Sequence, residues 1–345
     1  MTHGKQDLNP PPAADVSLGA SAPFQFPAPL RQAQADIQAM LGPRLEKLNA
    51  ESVRHKALHG VIARIAIAAG TVAVVAAITQ LAGASADSVS SAGWAEIIAI
   101  LLCVMAVVFG VTTSRQLRWL SRRLAAQRCE SLQFRALAWP SLWAGDFQSW
   151  SAALKSEIPQ ILDVNSARQI RSWLESEPLP TAPATDISAD RQPALQALKD
   201  FYARQRIEKQ IAYYARSATE HGRRAHTLHH LPSWCFFGSV VLALVHFSLE
   251  HFFRERFHAL GRWLIVFAAV LPVLGAAFRS WLMAFEFSRS ASLYRAKGAA
   301  LVQFQHKLAQ AEGAQVLAVI AECEAYLEDE QREWLRLVAE AEWFG

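Results

Sequence analysis

Four histidines, His221, His226, His229 and His230, lie close together in this 345-residue chain. On a helix His226 and His230 share one face, as two metal-binding imidazoles must. No acidic or Cys ligand lies between His221 and His230, so a cluster that is solvated or stacked on its neighbours fits better. Histidine titrates near neutrality, which makes pH sensing another use for them. His246 and Glu250 are spaced i, i+4, and such a pair serves either a proton or ion path or an interfacial contact. Thr71, Thr79, Gln80 and Thr112 are polar residues set in apolar surroundings. They can bond across helices or line a narrow opening. With His246 and Arg279 they form the set of pore or gating candidates. Glu322, Glu324, Glu328, Asp329 and Glu330 make an acidic run, read as a solvated helix face.

Catalysis finds no foothold. The chain has no G-x-x-x-x-G-K-[ST] or G-x-G-x-x-G loop to cradle phosphates. It has no G-x-S-x-G or H-E-x-x-H either. Cys103, Cys129, Cys235 and Cys323 form no C-x-x-C pair, which fits a reducing compartment and no zinc site. The expectation is a non-enzyme with no catalytic residue, metal or cofactor.

The elements around these residues are long apolar runs. Apolar residues make up 52% of the chain and charged residues 19%, so the apolar share exceeds that of a typical soluble domain. Crossing a bilayer core takes about 20 apolar residues in a helix. Four segments qualify, at about 65–86, 94–114, 231–249 and 263–285. The second is uncharged from Ile97 to Ser114. The third holds His246. The fourth holds Pro272, expected to kink it, and Arg279, long enough to snorkel to headgroups. Trp94, Trp119, Trp234, Trp263 and Trp281 fall at or near run ends, where amphipathic rings settle.

Basic residues set the orientation. Arg44, Lys47, Arg54, Lys56 and Arg64 precede the first run, and Arg115, Arg118, Arg122, Arg123 and Arg128 follow the second. The loop between them holds only Asp87. Arg204, Arg206, Lys209, Arg216, Arg223 and Arg224 precede the third run. By the positive-inside rule both termini and the central segment are cytoplasmic. From Gln310 to Gly345 acids outnumber bases nine to two, so the remainder of this +4 chain is distinctly basic. Its basic residues flank the apolar runs, which favours lipid headgroups over nucleic acid as a partner.

Residues 1–30 lack a basic stretch followed by an apolar core, so they read as a disordered Pro/Ala-rich leader rather than a signal peptide. Residues 176–193, with Pro178, Pro180, Pro183 and Pro193, read as a linker. It separates two similar two-span units, 31–175 and 194–345. Landmarks recur: His55 and His221 lie 166 apart, Trp94 and Trp263 169, Arg128 and Arg295 167, Phe134 and Phe304 170. Flanking stripes such as Leu41, Leu45, Leu48, His55 and Ile62 follow helical spacing, as do Leu317, Ile320, Leu327, Trp334 and Val338. No β-alternation is seen. The expected fold is an all-α membrane protein, with four transmembrane helices in two hairpins and long cytoplasmic amphipathic helices forming a bundle.

The run Arg204-Gln205-Arg206-Ile207-Glu208-Lys209-Gln210-Ile211-Ala212-Tyr213-Tyr214-Ala215 resembles the opening of a SLATT domain, the two-transmembrane effector domain associated with SMODS nucleotidyltransferases and SLOG sensors. Leu293-Tyr294-Arg295-Ala296 and Glu324-Ala325-Tyr326-Leu327-Glu328-Asp329-Glu330 with Trp334 are similar to its later helices. Trp119, Arg122, Ala126, Arg128, Glu130 and Leu132 resemble another branch of the group, so the resemblance spans about residues 31–342 as a tandem pair. It implies a membrane effector of a bacterial anti-phage conflict system, in the inner membrane. On that reading the chain is a homo-oligomer that forms a pore or perturbs the membrane. A SLOG-like sensor or SMODS nucleotidyltransferase partner would activate it. The other reading is a non-conducting scaffold that anchors a soluble sensor or enzyme. Tyr213, Tyr214, Arg128, Arg295 and Trp334 are the candidates for cytoplasmic packing or partner contact.

Overall fold

The computed structural model describes residues 26–82, 86–112, 115–162, 167–175, 187–253, 258–285 and 287–340. Among them there is no strand. Twelve α-helices follow one another: α1 Ala28–Ala82, α2 Ala86–Thr112, α3 Arg115–Leu137, α4 Pro140–Ala144, α5 Phe147–Leu162 and α6 Ala167–Glu175 come first. After them come α7 Gln192–Tyr202, α8 Lys209–His229, α9 Leu231–Phe253, α10 His258–Phe285, α11 Phe287–Gln310 and α12 Gln315–Glu340. A 3-10 turn at Ala189–Arg191 precedes α7, and a π-helical segment, Ala203–Glu208, joins α7 to α8. Residues 1–25 of the expected leader and most of the expected linker lie outside the described residues, while at the leader's end Phe26 and Leu30 are buried and α1 begins at Ala28.

The chain divides into two compact units, and α1, α8 and α11 each contribute to both. The first draws on Met1–Ala57, Arg115–Ser217 and Leu293–Glu342. Its core follows from spacing. Leu30, Ala33, Ile37, Leu41, Leu45 and Leu48 recur every three or four residues and are all buried on one face of α1. Phe26 anchors the start of that stripe. Its ring meets Phe201 edge-on at 4.8 Å, and the Arg31 guanidinium donates to its carbonyl. The connection from α3 to α5 is fixed by local chemistry. Pro140 opens α4, where a missing N–H costs nothing. Gly145 closes it at φ 85°, a left-handed conformation that glycine takes without a Cβ clash. Asp146 then caps α5, accepting the Ser149 N–H at 2.9 Å. The Trp150 and Trp143 indole N–H groups donate to the carbonyls of Ala136 and Leu137, at 2.8 and 2.9 Å.

The second unit draws on Leu58–Ser114 and Ala218–Ser292 and contains the apolar runs. Among the described residues four helices are long and apolar enough to cross a membrane. The described helices reproduce the expected spans with small shifts. α1 is described to Ala82 rather than 86, α2 begins at Ala86 rather than 94, and α10 runs unbroken through Pro272. Large exposed apolar side chains, among them Ile98, Met105, Phe237, Leu244 and Phe267, crowd this unit. Outside it, Val302 alone is comparably exposed among the described residues. Apolar faces on that scale are stable against hydrocarbon, not water.

Close helix contact inside this unit uses small residues. A Cβ placed on Gly275 would lie 3.3 Å from the Pro232 carbonyl oxygen and 3.2 Å from the Cys235 Cβ. The Ser239 hydroxyl donates to the Ala268 carbonyl at 2.6 Å, tying α9 to α10. Cys103 of α2 points its Sγ at the Ala66 carbonyl of α1, 3.5 Å away. Small residues and short polar links are the usual means of joining helices in lipid, where burial of apolar surface gives no preference for a neighbour over a lipid tail.

Candidate functional site

The membrane-facing candidates stand mostly apart. Thr71, Thr79 and Thr112 donate their hydroxyls to carbonyls of their own helices, those of Ile67, Ala76 and Val108, at 2.7–2.8 Å. Gln80 donates its amide to Glu96 on α2. His246 Nε2 lies 3.1 Å from the Glu250 carboxylate, and Arg279 is exposed. Among the described residues no hydrogen bond or ion pair joins one of these six to another. Glu96 is the residue missing from the sequence reading. It stands just before the uncharged stretch, and its role shows only once α1 and α2 are paired.

The four-histidine cluster stacks on itself and on an aromatic neighbour. The His226 and His229 rings meet His230 edge-on at 5.6 and 5.2 Å, and His221 packs on Phe287. Among the described residues no group of His, Cys, Asp or Glu is placed to hold a metal ion.

The packing candidates lie in the first unit. Tyr213 and Tyr214 are buried and form a three-ring cluster with Tyr294, with centroids 5.4–5.9 Å apart. Arg128 lies over the Trp173 ring at 5.7 Å. Arg295 is exposed, and it is Lys297, two residues on, that is buried against the Tyr214 ring and 3.5 Å from Glu330. Trp334 falls within α12, but its side chain is outside the described residues.

The acidic run departs from the sequence expectation. Only Glu322 and Asp329 are exposed, and Glu322 pairs with Lys307. Glu324 is fully buried, and Glu328 is buried between Arg135 at 3.6 Å and Arg332 at 3.2 Å. The cause is periodicity. Ile320, Glu324, Glu328 and Gln331 repeat every three or four residues, so these acids lie on the buried stripe of α12 and not opposite it.

The chemical centre of the first unit is Arg206. It emerges from the π-helical segment, a local widening that proteins often place at functional positions. Its Nε and Nη2 donate to the two Glu324 oxygens at 2.8 and 2.9 Å, a bidentate fork. Its Nη1 donates to Glu130 on α3. Glu324 also accepts the Tyr202 hydroxyl and the Ser131 hydroxyl, each at 2.8 Å. The Phe134 ring covers the guanidinium at 4.9 Å. All of these polar side chains are buried.

Two carboxylates therefore share one guanidinium away from water. Burial works against the Arg206 charge, but Glu324 and Glu130 hold it well above its ordinary range. Burial pushes the Glu130 carboxyl up, against the pull of Arg206 and Arg123. Burial also raises the Tyr202 hydroxyl, and it lifts the adjoining Cys129 and Cys323 thiols to about 12, which leaves them inert. Each acid directly follows a buried cysteine, in Cys129-Glu130 and Cys323-Glu324, but Glu322 on the other side of Cys323 is exposed, so a neighbouring core thiol is no signal for this centre.

Residues 202–334 match the family model of the SMODS and SLOG-associating 2TM effector domain 1. The SLATT match starts at Tyr202, includes Arg206 and Glu324, takes in both α9 and α10, and ends within α12. Glu130, the other carboxylate on Arg206, lies outside it. The matched segment thus closes its charge centre with a residue from the earlier half of the chain. No curated protein and no solved structure matches this chain.

Proposed function

We propose that the protein is a membrane effector of a bacterial conflict system, which forms a pore or perturbs the inner membrane when a nucleotide-signal partner activates it. The observation that carries the reading is the two-span effector match at residues 202–334, laid over two helices whose large apolar side chains are exposed. The basic residues flanking each span favour a cytoplasmic first unit and cytoplasmic termini. A SLOG-like sensor or SMODS nucleotidyltransferase is the proposed partner, and the working form is a homo-oligomer. Residues 31–175 are proposed as a second, divergent SLATT-like unit, since they repeat the plan of a helix, a two-span hairpin and a long helix. The role is non-enzymatic: energy for opening comes from the partner's preference for one arrangement of the helices.

A scaffold reading draws on one observation. The hydroxyls of Thr71, Thr79 and Thr112 are satisfied by their own helices, so they do not face an opening as free donors. Potassium or dye release from liposomes holding the purified protein, with and without the partner, separates the two. Signal-dependent release supports the effector. Intact liposomes under every signal, with the protein inserted and folded, leave the scaffold.

A further inference from the structure

The outer faces of α8, α11 and α12 carry opposite charges at one level of the first unit. Arg216 on α8 and Arg295 on α11 are exposed, and so are Asp329 and Glu333 on α12. Packing inside the unit fixes their levels. A Cβ on Gly298 would lie 3.8 Å from the Tyr214 Cβ, and the Tyr214 and Tyr294 rings stack at 5.9 Å. Arg216, two residues beyond Tyr214, is therefore level with Arg295 to within about one helical turn. The Lys297 ammonium lies 3.5 Å from Glu330, and the Phe304 ring meets Tyr326 at 5.4 Å. α11 and α12 thus run antiparallel, in a register that brings Glu333 level with Arg295 and Asp329 about one turn farther along. Val302, which is exposed too, lies about two turns from Arg295 on the same face of α11.

Exposed charges contribute little to the stability of the chain that carries them, because water and salt screen them. Between copies of a chain they act differently, deciding which faces meet and at what offset. The bases stand on α8 and α11 and the acids on α12, so each patch meets its opposite charge on a different surface of a second copy. Contact between unlike patches is head-to-tail, and it closes into a ring when the rotation between copies divides a full turn. Rotation about an axis that runs along these helices keeps every residue at its own level. The bases of one copy then reach the acids of the next without a slide, because the four residues share nearly one level. The arrangement in which a patch meets its own copy sets like charges together and is disfavoured.

We propose that Arg216 and Arg295 of one copy face Asp329 and Glu333 of the next, joining the first units head-to-tail with Val302 at the contact. The inference rests on the homo-oligomer of the proposed function, and it adds which surfaces meet. Two differently tagged chains are made in one membrane, one carrying Arg295→Cys and the other Glu333→Cys, and treated with a bis-maleimide. A crosslinked product bearing both tags is expected when the chains are together, and none above the parent's background when either is alone. That background comes from Cys103 and Cys235, since Cys129 and Cys323 are buried. Adding Arg216→Glu to the first chain should lower the mixed product about fivefold, the upper range for one exposed ion pair. Adding Asp329→Arg to the second chain should then restore it. All four positions are exposed, so these substitutions leave the core intact. Equal product from Arg295→Cys alone, or a yield unmoved by Arg216→Glu, overturns the head-to-tail charge pairing. No mixed product from a parent whose solubilised mass is that of an oligomer overturns this surface and leaves the homo-oligomer standing. A monomeric parent overturns both. Leakage is not the readout, so the effector reading stands or falls separately.

Discussion

Arg206 shows what a single buried side chain asks of its surroundings. A guanidinium removed from water needs charge and hydrogen bonds together, and Glu324 supplies both through a fork. Replacing Glu324 with Gln removes the bidentate partner and leaves Tyr202, Ser131 and Arg206 imperfectly matched. We expect a loss of about 3–5 kcal/mol, typical of breaking a buried pair, read as a fall in the thermal midpoint. Glu130 behaves differently, because its folded carboxyl is raised by burial from an ordinary value of 4.5. A raised carboxyl contributes stability that is full below 4.5 and is lost as pH climbs through the folded value. Glu130→Gln does not titrate. Its stability relative to the parent should therefore improve as pH rises from about 4.5 toward 8, following that linkage. Unfolding midpoints of both proteins across that range check the sign. A difference that stays flat with pH would mean that Glu130 is ionised in the folded state at both ends.

At the scale of the element, helix existence was legible and helix partnership was not. The stripe from Leu41 to Leu48 announced its buried face by spacing alone, and the four apolar runs announced their spans. Whether an acid on α12 faced water depended on which residues shared its stripe, and charge by itself misled there. The back-bonding of Thr71 was equally hidden, since the same hydroxyl could have reached a neighbouring helix. Glycines make the contrast between local and tertiary causes testable. Gly275 sits where α10 meets the backbone of α9, so Gly275→Leu must push the Pro232 carbonyl aside. It should cost about 1–3 kcal/mol, the usual range for overpacking, and loosen the hairpin. Gly222, on α8, has nothing within 4 Å of an added Cβ. Gly222→Ala should raise the midpoint slightly, by about 0.5–1 kcal/mol of helix propensity. Thermal unfolding in detergent reads both. Equal effects would mean that the α9–α10 contact is not what Gly275 protects.

For the molecule as a whole, the sequence carried the architecture because solvent imposes it. Uncharged runs of this length are suited to a bilayer, and the proposed orientation rests on the arginines that flank them. The charge centre was hidden because Glu130 and Glu324 are 194 positions apart and meet only through Arg206. Topology is the property on which every functional reading depends, and it can be read with cysteine labels. Cys129 and Cys323 are buried with thiols near 12, so they contribute little background to a maleimide reaction, which needs thiolate. Ser90→Cys falls in the first turns of α2, ahead of its apolar stretch, and Ser188→Cys falls within the central linker. If the basic flanks set the orientation, a membrane-impermeant maleimide labels the first in intact cells. It labels the second only after the inner membrane is opened. The reverse pattern would place the Arg206 unit outside the cytoplasm and out of reach of any cytoplasmic nucleotide signal. Labelling of both positions in intact cells would mean that the first hairpin does not span as a pair, and the two-hairpin architecture would have to be redrawn.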